Sequence, residues 1–485
     1  MTKEKYLFKN TFIITIGKIC TQLVTFFLLP LYTAVLSTKE YGIVDLVTTL
    51  SMLLLPIITF QVEQAVFREL LDNRTNKEKN NLIISNGIIS VTIQCLFFII
   101  IYLLLSPIFK NGYEHLLLIN VICYIYISLF QQIARGKGNN ITYSIGSFIN
   151  ASVTILFNLI FLLKFQMGAK GMILGNIFGQ TAAITYLFFA EKISKNLHLS
   201  LFNIKYVKKL WKYSFPLIPN ELSWWVFNVS DRVIVSLVLG LSANGILSAS
   251  SKFSNVYITL FNIFNISWTE SISLFIKEND IEKFFNRVFG IALSLFSSIG
   301  LGIIACLPFV FNIIINAKYN SSYNLIPILI IASLFNVIVG LLSAVYIGNK
   351  NTKAVAKTSV ISALLNLSVH LALIKFIGLY AAAISTLVSF VIMSIYRLHD
   401  INKKYIKITY DYKKIIYTLI VALIIVITYY LNNLYIHIFG LILAFVYAIL
   451  INKNIVSILM IKLKKRKEAY YDKKTFKKNQ IFGKD

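Results

Sequence analysis

Several ionisable side chains stand within or at the ends of long apolar runs: Lys18, Glu63, Glu221, Asp231, Arg232, Lys252 and Glu270. A charge at the centre of a membrane helix costs about 2.5–3.5 kcal/mol on insertion scales, so each of these groups should face a cavity or a partner. Lys and Arg in such a place can grip an anion, Arg through a bidentate fork. Carboxylates there can carry a proton or a small cation. Glu63 and Arg68, near the end of one run, suit a gate or an interfacial ion pair. Asp231 and Arg232 are chain neighbours, and their role is open between lining a cavity and pinning helices together through ion pairs. His370 reads as a packed polar residue rather than a proton relay. The cysteines Cys20, Cys95, Cys123 and Cys306 all fall in apolar runs and form neither a disulfide framework nor a CxxC metal pair. No catalytic residue, metal site or cofactor is assigned.

The elements that must hold these groups are membrane helices. The chain has 485 residues, 57% of them hydrophobic and 14% charged, with mean hydropathy +0.73. A soluble domain carries roughly a quarter charged residues. Lipid leaves no water to satisfy backbone groups, so spans are helices or a closed barrel, and a helix needs about 20 apolar residues. Runs of that length recur near 11–35, 42–66, 82–108, 114–134, 145–163, 171–190, 213–237, 245–276, 288–315, 322–347, 355–374, 377–396, 415–431 and 435–452. The expectation is an all-α membrane protein of about fourteen spans. The first run continues past Lys18 for a full span and lacks a small-residue cleavage site, unlike a signal peptide. Pro30, Pro56, Pro216 and Pro219 lie in or at the start of spans and predict bends.

The net charge of +27 is distributed by side, which argues against a nucleic-acid role. Of the 47 Lys and Arg, 38 fall in alternate loops and the two termini, 6 in the opposite loops and 3 inside spans. Positive residues mark the cytoplasmic side, so both termini are expected there. The opposite loops are very short, and neither side has room for a soluble catalytic domain. Gly17-Lys18 and Gly136-Lys137 are not followed by Ser or Thr, so there is no Walker A loop and no built-in ATP motor.

Two stretches recur about 205 residues apart. Leu36-Ser-Thr-Lys-Glu-Tyr-Gly42-Ile follows the first span, and Leu241-Ser-Ala-Asn-Gly245-Ile follows the seventh. Gly138-Asn139 with Thr142 similarly matches Gly348-Asn349 with Thr352, and Gly168 matches Gly378. Ordered matches of this kind point to two six-helix halves in parallel orientation, a common transporter plan. The expected division is 1–200 and 201–400 for the two lobes, 401–460 for two further spans, and 461–485 for a basic tail on the anionic inner leaflet.

The run Leu31 to Leu46, with Tyr41-Gly42 and Asp45 inside it, resembles the first-loop signature of bacterial polysaccharide flippases, the Wzx-type members of the MATE-like exporter superfamily. Glu63-Gln-Ala-Val-Phe-Arg68 resembles their acidic-to-arginine motif. Phe215-Pro-Leu-Ile-Pro219 through Asp231-Arg232 resembles their proline-opened helix. Ser248-Ala-Ser-Ser-Lys252 is similar to their span-eight lysine motif, without its Tyr, and Ile266-Ser-Trp268-Thr-Glu270 carries Glu270 where a proline is common. The likeness covers roughly residues 1–400.

The resemblance implies two lobes around a central cavity. It also implies translocation of a polyprenyl pyrophosphate-linked oligosaccharide from the inner to the outer leaflet of the bacterial cytoplasmic membrane. The product would be a surface polysaccharide such as O-antigen, lipopolysaccharide or capsule. On that reading Lys18, Arg232 and Lys252 would hold the pyrophosphate, Trp224 or Trp225 could stack on a sugar, and Glu63, Arg68, Glu221, Asp231 and Glu270 would gate or couple. Export of an anion down an inside-negative potential is favourable by about 2.3 kcal/mol per charge per 100 mV. A proton or sodium gradient is a second possible source. Polysaccharide polymerases and glycosyltransferases are expected partners. A MATE-type cation-coupled drug antiporter and a membrane-embedded polymerase or glycosyltransferase are the alternatives. The first would favour an acidic cavity, and the second a large external loop that this chain lacks.

Overall fold

The computed structural model describes residues 26–105, 112–409, 411–431 and 433–453. Lys18 and the basic tail 461–485 lie outside the described residues. Among those described, every regular element is a helix. In chain order these are α1 (Leu29–Val35), α2 (Thr38–Thr59), α3 (Val62–Asp72), α4 (Lys77–Leu105), α5 (Glu114–Gly136), α6 (Asn140–Leu159) and α7 (Gly168–Ala190). A short α8 (Ile193–Asn196) and α9 (Ile204–Ser214) lead to α10 (Ile218–Val238) and α11 (Leu241–Phe275). The chain continues through α12 (Ile281–Ile314), α13 (Ile326–Gly348), α14 (Thr352–Ile377), α15 (Tyr380–Lys404), α16 (Tyr412–Tyr430) and α17 (Leu434–Ile451).

Among the described residues, eleven helices are long and apolar enough to cross a membrane. The helices α10 and α11 stand outside that set although they have 21 and 35 residues, and they carry Glu221, Asp231, Arg232, Lys252 and Glu270. The short α1 (Leu29–Val35) is the end of the first expected span, whose residues 11–25 lie outside the described residues. The two final spans and the break at Gly378, where φ is +56°, are present as expected. Gly168, its partner in the repeat, has nearly the same φ of +57°.

The expected span 42–66 is two helices rather than one. Phe60 and Gln61 both adopt left-handed backbone, with φ of +51° and +60°, and no α-helix continues through such residues. Pro56, one turn earlier inside α2, removes a helical N–H. The start of α2 is fixed by a capping box. Ser37 Oγ accepts from Glu40 N at 3.3 Å while Glu40 Oε2 accepts from Ser37 N at 2.9 Å.

The helices α3 to α7 pack mainly among themselves, and so do α10, α11 and α13 to α15, while α2 packs chiefly on α11 and α10. The pair α16 and α17 packs on α12. The two groups meet where α2 crosses α11 and α10. The segment after α7 stays with the first group. Asn203 N donates to Asn86 Oδ1 at 2.8 Å, Tyr206 Oη to Glu69 Oε2 at 3.1 Å, and Trp211 Nε1 to Ser90 Oγ at 3.1 Å. The chain then turns through a 3₁₀ segment at Phe215–Leu217, holding Pro216, before α10 begins with Pro219 in its first turn. Outer faces are apolar at helical spacing, as in Ile416, Leu419, Ile420 and Leu423 of α16, all more than half exposed, as lipid contact requires.

Candidate functional site

The crossing of α2 and α11 is built on two glycines. A Cβ added to Gly42 would lie 1.9 Å from Leu241 O, and one added to Gly245 would lie 1.9 Å from Thr38 O. Small residues let helix backbones approach this closely in lipid. The sequence pairs Gly42 with Gly245 as repeat equivalents, and the fold places each against the other.

That approach sets the chemistry one turn further along each helix. Asp45 follows Gly42 by three residues and Ser248 follows Gly245 by three, so the two meet. Ser248 Oγ donates to Asp45 Oδ1 at 2.8 Å. Asn244 Nδ2 donates to Asp45 Oδ2 at 3.3 Å and to Gly42 O at 3.1 Å. From α10, Arg232 Nη1 forms an ion pair with Asp45 and donates to Ser248 Oγ at 3.3 Å. The Asp45 and Arg232 side chains are 12% and 16% exposed, so little water reaches the pair. Further along the crossing, Trp225 Nε1 donates to Thr49 O at 3.2 Å.

Asp231, next to Arg232, turns into the second helix group. It lies 2.6 Å from His370 Nδ1 on α14 and accepts from Thr386 Oγ1 on α15 at 3.2 Å. With its amide nitrogen toward the carboxylate, Asn366 donates to Asp231 Oδ1 at 3.3 Å and accepts from Thr386 N at 3.2 Å. His370 is fully buried, and its Nε2 has no hydrogen-bond partner among the described residues. Its expected role as a packed polar residue is thus sharpened to a named partner, Asp231. Among the described residues no cluster of three or more His, Cys, Asp or Glu could hold a metal ion.

Lys252 lies one turn beyond Ser248 on the same face of α11, half-buried, with no hydrogen bond or ion pair among the described residues. The structure therefore separates the cations the sequence grouped. Arg232 is committed to Asp45, Lys252 has no ion pair among the described residues, and Lys18 lies outside them. Trp224 is on α10, but its side chain is outside the described set. Glu221 is exposed in the first turn of α10, and Glu270 is half-buried late in α11. Glu63 and Arg68 do not pair. Arg68 is exposed and bridges to Asp72 at 3.3 Å, four residues on, the favourable helical spacing. Glu63 is 1% exposed, and neither carboxylate oxygen makes a hydrogen bond among the described residues.

Two residues of weight escaped the sequence reading. Asp45 was seen only as part of a motif, although a carboxylate one turn past the repeat glycine was the available signal. Arg397, just past the expected span 377–396, is 1% exposed inside α15. It donates to Thr358 Oγ1 at 3.0 Å and Val339 O at 3.1 Å, and also to Ser343 Oγ. A separate cavity of about 300 Å³ near Val35, Leu162 and Gly168 has Glu40 as its ionisable group, already engaged in the capping box.

Residues 7–269, more than half of the chain, match the family model described as polysaccharide biosynthesis protein. The chain belongs to the polysaccharide biosynthesis protein family. Among solved structures it is similar to the lipid II flippase MurJ in an inward closed conformation, with TM-score 0.68 at 17% identity, covering 93% of this chain and 100% of that one. It is also similar to a multidrug resistance MATE family transporter of the MOP superfamily. The inward-facing form gives TM-score 0.65 at 11% identity over 80% of this chain and 94% of that one. The outward-facing form gives 0.58 at 12% identity over 82% and 95%. At such identities the likeness is one of fold. No curated protein sequence matches the chain. This member of the family therefore has the MATE-like exporter fold expected from its sequence.

Proposed function

We propose that this protein flips a polyprenyl pyrophosphate-linked oligosaccharide across the bacterial cytoplasmic membrane by alternating access between its two helix groups. The observation that carries the reading is the polar latch at the crossing, where glycine backbones touch and one carboxylate, Asp45, holds Arg232, Ser248 and Asn244. Gly42 and Gly245 follow the lysine-poor loops, so in the expected orientation the latch closes the outer end. Opening would free Arg232 beside Lys252, and two cations would then face a passing pyrophosphate. Membership in a polysaccharide biosynthesis family and likeness in fold to the lipid II flippase MurJ support a lipid-linked sugar as cargo.

Coupling is proposed at the Asp231 carboxylate, which His370, Thr386 and Asn366 surround. Membrane potential and a proton or sodium gradient are both open to it. Polymerases and glycosyltransferases acting on the same glycan would be its partners. The MATE-type antiporter reading draws on the fold likeness, and a cationic drug would need the carboxylates Asp45 or Asp231 free.

The deciding experiment is translocation of a defined lipid-linked oligosaccharide in proteoliposomes, comparing wild type with Lys18→Ala and Lys252→Ala. Loss of flipping in both with normal folding supports the site. Normal flipping by both removes the site. Absence of flipping in wild type, together with drug resistance in expressing cells, moves the function to antiport.

A further inference from the structure

We propose that Lys205, Lys208 and Lys212 of α9 form a binding strip for the phosphate headgroups of anionic phospholipids, independent of whatever cargo the protein moves. α9 is capped at its start by Asn203, whose side chain accepts from Lys205 N at 2.9 Å and Tyr206 N at 3.4 Å. Val207, Leu210 and Ser214 are buried, at spacing i, i+3, i+7, and fix one face of the helix on the first group. The three lysines repeat that spacing two residues earlier, which turns their row about 200° around the helix from the buried one. All three are exposed, and none makes an ion pair among the described residues. Lys209, between the rows, is taken by Glu69 at 2.9 Å.

Two further observations point to lipid as the occupant. No acidic residue occurs from Lys192 to Ser214, and Glu191 just before is 3% exposed and bound by Lys137 and Asn139. The strip is flanked by large exposed apolar side chains: Phe202 at 41%, Ile204 at 52%, Tyr213 at 48% and Phe215 at 59%. Basic residues interleaved with exposed aromatic and aliphatic ones are the composition of a helix lying in the headgroup plane. The segment also cannot leave the membrane boundary, because the spanning helix α7 ends at Ala190 and α10 begins at Ile218.

The test uses the full-length protein in nanodiscs of mixed phosphatidylglycerol and phosphatidylcholine, with retained lipid counted by native mass spectrometry. Each lysine near an anionic surface is worth roughly a five-fold change in partitioning, so Lys205→Gln/Lys208→Gln/Lys212→Gln should lower phosphatidylglycerol preference by as much as about 100-fold at low salt. The control Lys283→Gln/Lys353→Gln/Lys357→Gln, equal in charge but with Lys283 already beside Asp280, should lower it far less. A second readout needs no variant: hydrogen exchange of 205–213 in wild type should be slower in phosphatidylglycerol discs than in phosphatidylcholine discs. Equal lipid preference in the triple variant, or equal exchange in the two lipids, overturns the proposal. So does retention of added polyprenyl phosphate at the strip in place of phosphatidylglycerol.

Discussion

Gly42 and Gly245, which the sequence pairs as equivalents, pack directly on one another. The space a Cβ would need at Gly42 is 2.9 Å from Gly245 N, and that at Gly245 is 3.0 Å from Gly42 N. The nearest atoms are backbone, which cannot rotate aside as a flexible side chain would.

Gly42→Ala should therefore force α2 away from α11. Overpacking of this kind costs about 1–3 kcal/mol, enough to lower the population of the closed crossing by a factor of about 5 or more. Spin labels at Lys39→Cys and Ser242→Cys, in a background freed of the native cysteines, should show a longer distance distribution in the variant. An unchanged distribution would mean that the glycine contact does not hold the crossing shut.

Asp45→Asn should destabilise the protein more than its exposure suggests, because Arg232 would be left poorly compensated. Breaking a buried pair costs about 3–5 kcal/mol, and the partial exposure here places the loss at the lower end. Arg232→Gln should lose a similar amount, while the double variant should lose less than the sum, by about 0.5–3 kcal/mol. Thermal unfolding in detergent measures all three. Strict additivity would show that the two side chains do not depend on each other.

Arg397→Met should lower thermal stability strongly. The guanidinium joins α13, α14 and α15 by donating to Val339 O, Thr358 Oγ1 and Ser343 Oγ, and its removal leaves buried acceptors unmet. Each such group costs about 1–3 kcal/mol. The matched comparison is Arg68→Gln on an exposed helical pair, expected to change stability by under about 0.5 kcal/mol. Similar melting shifts for the two variants would contradict the assignment of Arg397 as a staple.

Asp411 gives a pH dependence outside the spans. Its side chain accepts from Lys414 N at 3.2 Å as the cap of α16, and this bond, with the nearby lysine charges, holds its carboxyl below the usual range. A depressed carboxyl contributes its stability in full above the ordinary value of about 4, and loses it as pH falls through the folded value. The first turn of α16 should fray below about pH 4. Acid-induced loss of order at a spin label on Tyr412 should be present in wild type, and Asp411→Ala should show that looseness already at neutral pH. A label equally ordered in both proteins at every pH would rule out the cap.

Much of the fold was legible because its causes are local. Apolar length placed the spans, including the final pair α16 and α17. The break at Phe60–Gln61 was only half legible: Pro56 predicts a bend there, but neither Phe nor Gln favours left-handed backbone. The site was half legible. Arg232, Asp231 and Lys252 were marked by the expense of a charge in an apolar run, but Asp45 was not singled out, and Glu63 and Arg68 were joined by proximity in the chain alone.

The sequence by itself determined the solvent, the helical class, the approximate number of spans, the repeat and the set of charges that needed partners. Those properties depend on residues within a turn or a helix of one another. Only the tertiary structure decided which charge meets which. Arg232 finds Asp45 across 187 residues and Asp231 finds His370 across 139, while Lys252 is left without a counter-ion among the described residues. Pairing at that range is fixed by where glycine contacts let helices cross, and no periodicity in the chain encodes the distance between two helices.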